Sequence, residues 1–143
     1  MGSGSNRNPL GGFNTLEWDA EPTTIAGVKV LKNTSNKRSN DLPAYSNTSN
    51  MYFKRDSSGE ITQLRIYDKS SHGAALDIDI NPSKPHENKD GSIIPAGVTH
   101  VHRWKTNSEG KLVRNKKGEF LSDEQIKKYG DTLKAANSNV RFR

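Results

Sequence analysis

Two histidines one residue apart, His100 and His102, project from the same side of an extended segment, roughly 6–7 Å from each other along the strand. That placement suits phosphodiester cleavage. One imidazole takes a proton while the other gives one, and histidine titrates near neutrality unaided. RNA carries its own nucleophile in the 2′-hydroxyl. A ribonuclease of this kind needs no cofactor, only a base, an acid and a cation for the charge developing on phosphorus, and Arg65 is the cation chosen here. The plain alternative is that both histidines pack beside Trp104. The pair Asp77-x-Asp79 allows three readings. It joins His100 and His102 in a metal site, since mixed His/Asp sets suit zinc or manganese. It orients the imidazoles or Arg65 from behind. Or it is only the polar face of a strand.

Other side chains have weaker claims. His86 follows Pro85 and His72 precedes Gly73, both in turn-rich stretches where histidines are usually solvated. Tyr67 and Trp104 suit stacking on a base, or core packing. Lys116, Lys117, Lys127, Lys128 and the terminal arginines suit phosphate tracking. No phosphate-binding glycine loop, serine-nucleophile motif or EF-hand loop is present. The absence of cysteine removes disulfides, thiolate metal sites and a cysteine nucleophile.

The elements that must position these groups follow from periodicity. Met1–Ser5 has the look of an expression scar and is set aside. Residues 6–24 read as an irregular or briefly helical lead-in anchored by Phe13, Leu16 and Trp18, and Ile25 to Leu31 as the first strand. Asn33 to Asn50 is a long Asn/Ser/Thr-rich loop containing Lys37-Arg38 and two Asn-Thr-Ser sequons of the kind chance supplies. Met51–Arg55 and Glu60–Asp68 form a hairpin around Asp56–Gly59. In its second arm Leu64 and Ile66 face the core, so Arg65 and Tyr67 face away together. Leu76 to Ile80 alternates strictly and presents Asp77 and Asp79 side by side. A proline-rich loop spans Asn81 to Gly97, and Val98 to Lys105 is the strand with both central histidines. Lys111 to Leu121 reads as a short hairpin around Asn115–Gly118. Ser122-Asp123-Glu124-Gln125 is a capping box opening a helix to about Asn137. The predicted fold is α+β: a small antiparallel sheet with an irregular or helical N-terminal segment and a C-terminal helix, in one domain over residues 6–143.

The 143 residues suffice for one modest core. The net charge of +6 is concentrated late, with nine basic and four acidic residues after Gly110. Such an end suits a polyanion or an acidic protein, or else is simply a solvated surface. No signal peptide and no apolar run of membrane-spanning length is visible.

Arg65-x-Tyr67-Asp68, then Asp77-Ile78-Asp79, a Pro/Gly-rich loop and His100-Val101-His102-Arg103-Trp104 resemble, in that order, the C-terminal toxin modules of bacterial polymorphic and phage-associated toxins. Asn47 to Tyr52 with the turn at Gly59 is similar to the start of such a module. The resemblance spans about Leu42 to Lys105 and leaves out residues 1–40 and the basic tail. It implies a barnase-, colicin- and RelE-like nuclease fold, with helical or irregular elements on a small antiparallel sheet. It implies an endoribonuclease that is secreted or delivered and acts in the cytoplasm of a target bacterial cell, paired with a dedicated immunity protein, here an acidic one. It places the active site on Arg65, Asp77, Asp79, His100 and His102, with His86 as the loop histidine that many such modules carry.

Three functions are therefore expected in order. The first is a metal-independent endoribonuclease acting on RNA, with tRNA among the candidate substrates. The second is a metal-dependent nuclease or hydrolase built on Asp77, Asp79, His100 and His102. The third is a non-catalytic phage or adaptor module that binds through its basic tail.

Overall fold

The computed structural model describes residues 18–33 and 42–143. Met1–Ser5, Phe13, Leu16, Lys37-Arg38 and Thr34-Ser35 of the first sequon lie outside the described residues. Among the described residues ten strands and one helix follow in chain order: β1 (Trp18–Ile25), β2 (Val28–Asn33), β3 (Met51–Arg55), β4 (Ile61–Tyr67), β5 (Ala74–Asp79), β6 (His86–Glu87), β7 (Ile93–Ile94), β8 (His100–Thr106), β9 (Leu112–Arg114), β10 (Glu119–Phe120) and α1 (Asp123–Ala136). The main sheet runs β1-β2-β3-β4-β5-β8-β10, with β9 also on β8. Its pairs are antiparallel except β2 with β3. The α+β fold, a mostly antiparallel sheet with a C-terminal helix, is as the periodicity predicts.

Three local expectations are corrected. The lead-in is not irregular from Trp18 onward, because Trp18–Ile25 is a strand that pairs with β2. Ala26 and Gly27 take the positive φ values (50° and 78°) of a two-residue hairpin turn. The ladder shifts register between Ala20 and Thr24, across Pro22, which has no N–H to give it. The Asn81–Gly97 loop contains its own two-stranded sheet, β6 with β7. Finally, Lys111–Leu121 is no hairpin. β9 and β10 both pair antiparallel with β8, one at each end of it, and Asn115–Gly118 leaves the strand path between them.

The period of two divides the sheet cleanly. Val28, Val30, Phe53, Leu64, Ile66, Ile78, Ile80 and Val101 point to one face, where they meet Leu121, Tyr129 and Leu133 in the core. The capping box closes as the sequence predicts: Ser122 Oγ accepts from Gln125 N–H at 3.1 Å, and Gln125 Oε1 accepts from Ser122 N–H at 2.9 Å. α1 thus covers one face of the sheet with Tyr129 and Leu133. The alternate residues of β4, β5 and β8 fall on the opposite face, and those are the chemically interesting ones.

Candidate functional site

Strand register assembles the site. Tyr52 sits opposite Arg65, Arg65 opposite Asp77, and Asp77 opposite His102. One step along, Gln63 faces Asp79, and Asp79 faces His100. Two polar rows therefore cross the face that α1 leaves uncovered. Its alternating-residue logic was readable in the sequence, but its occupancy was not.

Arg65 is 1% exposed and Asp77 0%. Arg65 Nε donates to Asp77 Oδ1 at 2.6 Å and Nη2 to Oδ2 at 3.0 Å, a bidentate pair. Nη1 donates to the Leu42 carbonyl at 2.5 Å. The guanidinium carbon lies 4.7 Å from the centre of the Trp104 ring. Bound at both ends of the guanidinium by Asp77 and Leu42 O, Arg65 lies away from the cleft that His102 and Arg114 line, which corrects the role expected of it. Burial works against the Asp77 carboxylate, but Arg65 and Arg114 outweigh it and hold its pKa below the usual range. Asp77 is likewise no metal ligand, since both its oxygens are engaged by arginine. Tyr67 does not stack on a base either. It is buried, and its hydroxyl donates to the Pro43 carbonyl at 2.5 Å. Burial pushes its pKa up. Trp104 is half-buried with one face taken by Arg65.

The cation that does reach solvent is Arg114, which sequence reading missed. Its side chain is 34% exposed. Nε donates to Asp77 Oδ2 at 2.7 Å and Nη2 to Asp79 Oδ2 at 3.1 Å. The turn Asn107–Gly110 folds β9 back on β8, which sets Arg114 opposite Trp104. The signal was obscured because Arg114 carried no motif, only a place on a strand whose pairing was misassigned.

Three imidazoles converge beside it. Ring centres are 5.1 Å apart for His86 and His100, 4.9 Å for His86 and His102, and 5.1 Å for His100 and His102. His100 and His102 come from β8, as the His-x-His spacing predicts. His86 arrives from β6, carried onto the sheet by its small hairpin. Asn88 holds that hairpin in place: its Nδ2 donates to the Gly118 carbonyl and its Oδ1 accepts from Gly118 N–H, both at 2.9 Å. Gly118 has to be glycine here. A Cβ would stand 2.8 Å from His86 Cδ2 and 3.0 Å from His100 Cδ2. Asn88 and Gly118 are site-building residues with no sequence signal beyond their turn chemistry. His72 stays in its turn at φ 64°.

Each ring has one nitrogen against a main-chain carbonyl. These are His86 Nε2 with Lys116 O at 3.0 Å, His102 Nδ1 with Asn115 O at 2.9 Å, and His100 Nδ1 with Val98 O at 3.3 Å. A carbonyl only accepts, so it fixes the proton on that nitrogen and leaves a lone pair on the other. His100 Nε2 and His102 Nε2 are buried with no hydrogen-bond partner, each 3.5 Å from Asp79 Oδ2. Desolvation lowers the pKa of both, with Asp79 opposing it, and Arg114 lowers that of His102 further.

A cleft of about 760 Å³ opens at this cluster. His86, His102 and Arg114 line it with Lys89, Lys105, Lys116 and Lys117, against two acids, Glu87 and Asp90. Lys116 and Lys117 thus line the same cleft as the histidines. Lys127 and Lys128 do not, because α1 packs on the other face of the sheet. Comparison with family models, with curated proteins and with solved structures gives no match. Among the described residues no helix is long and apolar enough to cross a membrane.

Proposed function

We propose that this chain is an endoribonuclease that cleaves RNA by attack of the 2′-hydroxyl, with imidazoles as acid and base. The observation that carries this reading is the meeting of His86, His102, one arginine and four lysines at one cleft, with the His100 ring packed behind the two imidazoles. The lysines bind the backbone of a polyanion. Arg114, not Arg65, stands where a cation meets the charge that develops on phosphorus. His102 is held neutral and oriented by Asn115 O, which suits it to take the 2′-hydroxyl proton. His86, the least buried of the three, gives a proton to the departing 5′-oxygen. His100 and Asp79 hold the pair in place. The products are a 2′,3′-cyclic phosphate and a 5′-hydroxyl. A delivered effector of bacterial competition fits such chemistry, and the same basic cleft complements an acidic inhibitor protein.

Incubation with total RNA in EDTA, followed by end-group analysis, tests the reading. Cyclic phosphate ends are expected, with His86→Ala and His102→Gln lowering cleavage at least ~10²-fold while circular dichroism stays unchanged. Full activity in both folded variants would rule the mechanism out.

A further inference from the structure

The described residues contain one group of side chains with the donor atoms of a metal site, and it shares only His100 and His102 with the set of Asp77, Asp79, His100 and His102 that the spacing suggested. His86, His100 and His102 each offer a ring nitrogen such that all three lie within 4.8 Å of one another. Imidazole nitrogens on a tetrahedral zinc ion stand about 3.3 Å apart, given bonds of about 2.0–2.1 Å. The rings therefore need to close by roughly 1.5 Å, within reach of small side-chain rotations.

Two further observations point to a ligand. His100 and His102 are 2% and 1% exposed, yet Nε2 of each has no hydrogen-bond partner. A buried nitrogen left this way costs free energy unless something takes its lone pair. The second is the outer ring of carbonyls. Val98 O, Asn115 O and Lys116 O each hold one nitrogen of a different imidazole. Metal-bound histidines are ordinarily fixed in this way, because the outer acceptor sets the tautomer and strengthens the donor nitrogen. Asp79 Oδ2, 3.5 Å from both free nitrogens, puts negative charge beside the site. Arg114 approaches that same carboxylate from the other side.

We propose that His86, His100 and His102 form a binding site for one divalent transition-metal ion of the zinc class, and that loading it silences the ribonuclease. Three neutral imidazoles select zinc or copper over magnesium and calcium, which take oxygen ligands. The metal takes the lone pairs that proton transfer needs, so the loaded and catalytic states exclude each other. No bond of the substrate is made or broken in this step, and any proton released leaves to solvent. The binding half stands on the geometry alone. The silencing half rests on the ribonuclease reading.

The test titrates the metal-stripped full chain with zinc chloride against a chromophoric chelator, while ¹H–¹⁵N spectra follow the histidine rings. RNA cleavage is measured in parallel with and without zinc. One zinc per chain is expected, with ring signals of His86, His100 and His102 shifting and His72 unmoved. His72→Ala keeps the site, His86→Ala weakens it at least ~10-fold, and excess magnesium does not compete. Cleavage by the zinc-loaded chain falls at least ~10-fold. Absence of stoichiometric binding to the wild-type chain, or ring shifts confined to His72, overturns the metal site even if RNA is cleaved normally. Stimulation of cleavage by zinc overturns the silencing and the metal-free mechanism together. Zinc bound by the three rings with no cleavage under any condition supports the site and removes the ribonuclease reading.

Discussion

Replacing Asp77 by Asn should be the most destabilising single change in the polar face, and Arg65→Met a milder one. The difference follows from what each replacement strands. Arg65 is 1% exposed and is paired bidentately with Asp77, at 2.6 Å and 3.0 Å. Asp77→Asn takes the opposite charge from beside a buried guanidinium, which costs about 3–5 kcal/mol. With a urea slope of about 2 kcal/mol per molar, the unfolding midpoint falls by about 2 M. Arg65→Met leaves Asp77 with Arg114, 2.7 Å away and open to water. That carboxylate is still paired, so the loss is that of charged hydrogen bonds, about 2 kcal/mol. The double variant Arg65→Met/Asp77→Leu should be more stable than Asp77→Asn alone, since no buried charge remains. Urea melts of the four chains at pH 7 make the measurement, with RNA cleavage per folded molecule alongside. Arg65→Met costing more than Asp77→Asn would refute the reasoning. Cleavage lost ~10²-fold in a fully stable Arg65→Met would return to Arg65 the catalytic role that its burial denies it.

Other outcomes are expected from the same face. The Asp77 pKa is held below its unfolded value near 3.9, so its contribution to stability is complete above that value and is lost as pH falls through the folded one. Urea midpoints measured from pH 5 to 2 should therefore drop, and more shallowly in Arg65→Met/Asp77→Leu. Asn88→Ala removes both bonds to Gly118, about 2 kcal/mol in all. It should speed hydrogen exchange in β6 and lower RNA cleavage, with the melting of α1 unchanged. Lys127→Ala/Lys128→Ala should leave cleavage within about twofold, while Lys116→Ala/Lys117→Ala weakens RNA binding and flattens its salt dependence.

Alternation was the dependable signal in this chain. It placed Leu64, Ile66 and Ile78 in the core and Arg65, Asp77, His100 and His102 on the opposite face, all as found. Alternation reports direction and says nothing of what arrives from elsewhere to cover that direction. The burial of Arg65 depends on Leu42 O, 23 positions earlier in the chain, and the position of His86 on a carbonyl 30 positions later. Such contacts leave no local periodicity. Arg114 was overlooked for a related reason. A three-residue strand after a turn looks like half a hairpin, and only pairing with β8 shows which face it serves. The lysines were equivalent in sequence, and helix packing alone separated Lys116 and Lys117 from Lys127 and Lys128.

The Asn88–Gly118 staple also orders events in folding. β3, β4 and β5 are joined by short turns and can zip locally, whereas His86 finds its place only once β8, β9 and the Asn115–Gly118 segment are already laid down. Contacts of that sequence separation form late, because loop closure must be met before they contribute. The imidazole trio is thus expected among the last features to appear as the chain folds. A partly folded chain would hold its sheet and its Arg65–Asp77 pair, but not its three rings together. An assembled imidazole trio would in effect report that the rest of the molecule has finished folding.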